Sequence, residues 1–341
     1  MFDGHHPQSA SRCRAALSGN ALGSVREVAQ GLDQLLASSL LDLPMIGQGE
    51  TLIRFDALSA IASIDLSLVR LAEGHVDAHA ILRELGVTPH SGRYGVWAAE
   101  GAQPVTAVRS GACYVLRGSK RYASGATSLT RALVTARAPD GPRLFDVALS
   151  AEGVRPVVGS WHAVGMASSD SLEVCFEDVQ VPDSCVVGEP RAYLDRASFW
   201  HGGVQVSACW YGAAVGCLRL LQRTLADKQD PDEHALAHLG HVYVHCQMLR
   251  AVLVRAATEI DAEPYNVERA RQRALVTRSA VEQGCTEVLE HTHRALGPSA
   301  MVFDAEHARR AADLPVYVRQ HNAEKDLAAL GRAVLTEASA A

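Results

Sequence analysis

His234, His238, His241 and His245 recur at i, i+4, i+7 and i+11 in a stretch that reads as helix. All four therefore fall within an arc of about 60° on one helix face. Histidine pairs at i, i+4 can chelate a metal, and a histidine stripe can also form a polar or pH-sensitive contact face. No carboxylate or cysteine completes a metal motif around them, so the face reading is preferred and no metal is expected. An imidazole can hold or pass a proton near neutral pH, whereas an amide cannot act as a base. Each histidine also has a plain reading as a helix-end or surface residue. The eight cysteines are scattered with no C-x-x-C pair, which fits reduced thiols rather than a disulfide or zinc framework.

These residues need elements to position them. Short runs rich in β-branched or alternating residues occupy 112–116, 131–136, 144–148 and 172–176, with turn residues at Gly118-Ser119, Pro139–Pro142 and Val181-Pro182. That spacing predicts a central antiparallel barrel or sandwich, from near Tyr94 to near Gly188. Apolar residues at three and four predict helices over 24–41, from Ile53 to Leu71, and from His75 to Leu85. Residues 1–20 read as a loose arm. Helical periodicity returns over 197–225, 233–260, 267–296 and 316–335, which predicts a four-helix bundle. The expected fold class is α+β, with an N-terminal helical domain (1–92), a central β domain (93–189) and a C-terminal bundle (190–341).

Three strings carry a resemblance. They are Gly118-Ser-Lys-Arg-Tyr-Ala-Ser-Gly-Ala126, the run from Trp161-His-Ala-Val-Gly-Met166 to Asp178-Val-Gln-Val-Pro182, and Asp313-Leu-Pro-Val-Tyr317 through Arg332. In this order, across most of 60–335, they resemble the acyl-CoA dehydrogenase superfamily. The resemblance implies a flavin, FAD or alternatively FMN, lying between the β domain and the bundle. It places Tyr122 beside the isoalloxazine, Ser124 and Gly125 next to it, and Trp97 on the same wall. Arg294 and Gly297 fall where the family contacts cofactor phosphate, although Arg replaces the family's Gln. The family's catalytic Glu is missing, since alignment puts Gln320 or His321 at its usual position and a residue near Gln205 at the alternative one. The family's Gly-Ser-Asp loop and its Arg-x-x-Phe-Gly motif are also missing.

The resemblance implies an oxidoreductase that performs α,β-dehydrogenation of an acyl thioester on CoA or a carrier protein. An alternative is a two-component flavin monooxygenase, with His75 and His321 as proton-handling candidates. A third is a homologue without catalysis that serves as a binding subunit. An electron-transfer partner or flavin reductase and a homodimer or homotetramer are implied with the fold. The net charge of −6, without a basic block, argues against nucleic acid or an anionic membrane as partner. No apolar leader is visible near Met1, and cytoplasmic location is the expectation.

Overall fold

In the computed structural model, which describes residues 6–18 and 20–340, two helical segments hold a β-sheet between them. The expected loose arm instead carries α1 (His6–Ala16), because Ala10, Cys13 and Leu17 find apolar partners in the main core. Helix α2 (Val25–Ala37) starts at Ser24, whose hydroxyl accepts from Glu27 N while the Glu27 carboxylate returns to Ser24 Oγ and Gly23 N. This reciprocal cap satisfies donors that the first helical turn leaves open.

The run expected from Ile53 to Leu71 is two helices, α3 (Thr51–Ala62) and α4 (Leu66–Glu84). Asp65 makes the break, since its carboxylate accepts from Leu68 N at 2.8 Å and caps α4. No boundary falls between Leu71 and His75, so α4 presents one unbroken face to the sheet.

The sheet has eight strands: β1 (Tyr94–Trp97), β2 (Thr106–Ser110), β3 (Cys113–Ala123), β4 (Arg131–Ala138), β5 (Gly141–Ala148), β6 (Val154–Val157), β7 (Leu172–Pro182) and β8 (Val186–Val187). Their order is β6-β7-β3-β2-β4-β5-β8, with β1 also on β4. The sheet is mixed rather than wholly antiparallel. β1 and β2 run parallel to β4 because the chain reverses twice between β2 and β4, at the β2–β3 hairpin and again over 124–130. Trp97, Leu116, Val134, Phe145, Val174 and Phe176 fill one buried layer against it. The β3–β7 ladder shifts register between Lys120 and Ala123, so Arg121 and Tyr122 oppose one residue of β7. This is a β-bulge, and it re-aims Tyr122.

The bundle consists of α5 (Ala197–Ala226), α6 (Glu233–Ala262), α7 (Val267–Leu296), α8 (Pro298–Phe303), α9 (Ala305–Tyr317) and α10 (Ala323–Ala340). α5 is long and apolar enough to cross a membrane, but most of that stretch is buried as the central helix of the core. Its small residues set its packing distances. A Cβ at Gly212 would lie 2.4 Å from Ser59 O, so α3 crosses α5 there in close contact. The helix expected over 316–335 is interrupted. After Tyr317 the chain makes a 3₁₀ turn over Val318–Gln320, extends at His321, and restarts as α10.

Candidate active site

A cavity of about 940 Å³ lies between α4, the sheet and the bundle. Its sheet wall carries Trp97, Tyr122, Ser124, Trp161, Met166 and Ser171. The indole N–H of Trp97 donates to Ser124 O at 3.1 Å, which fixes the ring and the turn together. Ser124 Oγ and Ser171 Oγ are 2.8 Å apart, and Ser171 Oγ is 2.8 Å from Ser169 Oγ, which donates to Met166 O at 2.7 Å. The hydroxyls thus form a chain ending at the cavity. Tyr122 has φ of 59°, a left-handed conformation uncommon for a non-glycine residue. The bulge holds it there with the side chain 62% exposed, edge-on to Trp161 at 6.5 Å. Gly125 sits behind this wall, its N–H donating to Ser169 O at 2.8 Å.

The α4 wall is charged. Arg70, Glu73, Gly74 and Asp77 follow i, i+3, i+4 and i+7 and all line the cavity. Arg70 and Glu73 form an ion pair. Burial pushes the Glu73 and Asp77 carboxyls above the usual range against the opposing pull of nearby guanidiniums, Arg70 for Glu73 and Arg196 for Asp77. Among the described residues no hydrogen bond or ion pair reaches Asp77. A carboxyl whose burial favours its neutral form therefore faces the open space.

The bundle wall contributes Arg278, Arg319, Gln320, Asn322 and Asp326. Arg319 is ion-paired with Glu282. Arg278 is not paired with any carboxylate among the described residues. It donates to Gly203 O at 2.8 Å and Gln320 O at 3.1 Å, and lies 4.8 Å over the Trp210 ring. Burial lowers its pKa to about 10, so it still carries charge at neutral pH.

Of the residues that the sequence singles out, Trp97, Tyr122, Ser124 and Gln320 meet at this cavity. His321 lies just outside it, 3% exposed, with Nε2 3.0 Å from Ser279 Oγ and Nδ1 3.0 Å from Asp326 Oδ2. Burial and Arg278 lower its pKa. It touches the cavity through Asp326, which lines it.

His75 is not among the lining residues. Its Nδ1 accepts from Tyr94 N at 3.2 Å and its ring packs on His79, so it ties α4 to β1. Burial drives its pKa down to about 4. Arg294 is exposed and pairs with Glu290 of its own helix, and Gly297 ends α7 with φ of 62°. Neither lines this cavity. Gln205 is buried and accepts from Arg54 Nε.

Sequence reasoning missed Arg70, Glu73, Asp77, Arg278 and Asp326.

Neither a protein-family model nor a curated protein matches this chain. Solved structures do. TdsC from Paenibacillus sp. A11-2, solved with FMN and indole, superposes with a TM-score of 0.81 at 19% identity, covering 97% of each chain. The same protein is elsewhere described as a dibenzothiophene monooxygenase. Methanesulfinate monooxygenase MsuC from Pseudomonas fluorescens gives 0.77 at 17% identity, over 96% of this chain and 97% of that one. KijD3, solved with FMN and a dTDP-linked amino-keto sugar, gives 0.80 at 17% identity, over 96% and 94%. The chain has the acyl-CoA dehydrogenase-like fold.

Proposed function

We propose that this chain is a flavin-dependent oxidoreductase, and that its reaction is oxygenation of a small organic substrate by a flavin reduced elsewhere. The observation that carries the proposal is the facing pair of walls, aromatic and hydroxyl-bearing on the sheet side and cationic on the bundle side. The donor set fits a flavin. Tyr122 and Trp161 offer aromatic surface, buried Trp97 holds the Ser124 turn, Ser124 and Ser171 offer hydroxyls for ring heteroatoms, and Arg278, with no carboxylate partner among the described residues, offers a positive charge for a phosphate. When bound and reduced, a flavin supplies the electrons for oxygen chemistry.

The chain's own residues handle position and protons. Ser124, fixed by Trp97 and Ser171, orients one edge of the ligand. Asp77, its carboxyl pushed up by burial, stands on the α4 wall as a group that exchanges a proton with what the cavity holds. Asp326 and His321 form a route by which a proton leaves the cavity toward Ser279. Met166, Phe199 and Val316 supply apolar wall and exclude water. Two of the similar structures are described as monooxygenases, and this supports oxygenation over dehydrogenation. Gln320 at the cavity, where the family's resemblance calls for a base, supports it too, because an amide cannot remove an α-proton. A reductase that delivers reduced FMN or FAD is the implied partner, and a homodimer or homotetramer the implied assembly.

Dehydrogenation of an acyl thioester is the second reading, and Asp77 favours it, since an unpaired carboxylate could serve as its base. Anaerobic titration separates the two. Oxygenation predicts that the purified chain quenches the fluorescence of added FMN or FAD, and that the complex, once reduced, consumes oxygen and yields hydroxylated product. Bleaching of bound oxidised flavin by an acyl-CoA without oxygen would instead establish dehydrogenation. A chain that binds neither flavin overturns both readings.

A further inference from the structure

The histidine stripe faces residues that its own sequence neighbourhood did not reveal. On α7, Glu287 and His291 stand at i, i+4, opposite His238 and His241 of α6. One ligand atom each from His241, Glu287 and His291 lies within 4.8 Å of the other two. The rings of His241 and His291 stack at 3.7 Å, and those of His241 and His245 at 4.4 Å.

We propose that His241, Glu287 and His291 form a site for one divalent transition-metal ion of the zinc class, linking α6 to α7. None of them lines the cavity described above, so this site is independent of the flavin reading.

Hydrogen bonding supports the assignment. His238 Nδ1 and His291 Nδ1 are 2.8 Å apart, which requires that one nitrogen carry a proton and the other accept it. If His291 donates, its Nε2 is left as a lone pair on the side of Glu287, whose Oε2 is 3.9 Å away. This is how metal-bound histidines are held, with the far N–H given to a neighbouring acceptor that fixes the tautomer. His241 Nε2 is buried and has no hydrogen-bond partner, a costly state that an ion would relieve. His245 donates from Nδ1 to His241 O at 3.1 Å and covers the outer face of the His241 ring.

Neutral imidazole is the species that binds a metal. In a zinc site, ligand atoms about 2.0–2.1 Å from the ion lie roughly 3.3 Å from each other. The His241 and His291 ring planes, now 22° apart, must therefore rotate until both contain the ion, and Glu287 must swing inward. Glu287 is 51% exposed and free to do so. Two histidines and one carboxylate leave a coordination position for water. The site is at the end of the α6–α7 pair away from its connecting turn, so an ion there clamps the open end of a helical hairpin.

The test uses full-length, tag-free protein stripped with chelator. It is titrated with Zn²⁺ by calorimetry and with Co²⁺ by visible absorption. One equivalent should bind, the Co²⁺ complex should show ligand-field bands, and Zn²⁺ should raise the melting temperature. Affinity should fall at least tenfold in His241→Ala, His291→Ala and Glu287→Gln. His234→Ala, on the same helix face but exposed and outside the set, should bind as the parent does. Glu287→Gln changes a half-exposed side chain by one atom, so it decides the matter if either histidine variant fails to fold. No uptake by the parent, or equal affinity in Glu287→Gln, overturns the proposal.

Discussion

At Asp77 a carboxyl meets the cavity with no partner and a pKa raised by burial. Asp77→Asn keeps its shape and removes its proton chemistry. We expect turnover to fall by about 10²–10⁴-fold, the usual worth of a positioned acid or base, with flavin affinity nearly unchanged. Stopped-flow turnover beside flavin titration checks this, and equal losses in both would mean a merely structural role. Ser124→Ala removes a hydroxyl that sits between Ser171 and the cavity, and should weaken flavin binding by about tenfold, roughly the value of one hydrogen bond. Unchanged affinity would remove Ser124 from the cofactor wall. The sheet-side residues were legible because local strings mark them, as Tyr122 and Ser124 lie within nine residues of recognisable pattern. Asp77 and Arg278 were not, because their meaning depends on which helix faces which. His75 shows the same dependence on packing: it does not line the cavity, and its Nδ1 accepts from the backbone N–H of Tyr94.

Two local irregularities bring the walls of the cavity together. The β3–β7 bulge aims Tyr122, and the break over 318–322 brings Gln320 and Asn322 to the rim. Periodicity reads regular elements well and interruptions badly, so the last helix was expected to run unbroken from Val316. Pro315 does not mark the break, since it lies inside α9, which continues to Tyr317. Close approach of elements is equally invisible to periodicity. Gly165 lies so near α9 that a Cβ on it would come within 2.0 Å of Ala312 O. Gly165→Ala should therefore lift the loop from α9 and cost about 1–3 kcal/mol, as overpacking does. Urea denaturation measures it, and a loss below a few tenths would mean that the loop yields freely. Met166, whose N–H donates to Asp313, would move with that loop and change the cavity wall.

For the molecule as a whole, buried titratable groups set opposing pH trends. His75 and His307 are held neutral, with pKa values of about 4. Their folded values lie below the unfolded one, so their contribution is present above about pH 6.5 and is lost as pH falls toward 4. Burial raises Asp313 to about 7. Its contribution is full below the unfolded carboxyl value near 4, and is lost as pH rises through 7. Asp313→Asn can still accept from Met166 N. It should match the parent's stability near pH 4 and exceed it by about 1–3 kcal/mol at pH 8. Denaturation at the two pH values tests this, and a gain equal at both would refute it.

The cavity draws walls from the N-terminal helices, the sheet and the bundle, and no single segment encloses it. Whatever fills it then ties α4, the sheet and the bundle to one another, and occupancy and cohesion become one equilibrium. A ligand at a hundred times its dissociation constant would add about 2.7 kcal/mol to the chain's stability. Candidate substrates and flavins can therefore be ranked by how far each raises the melting point, before any reaction has been observed.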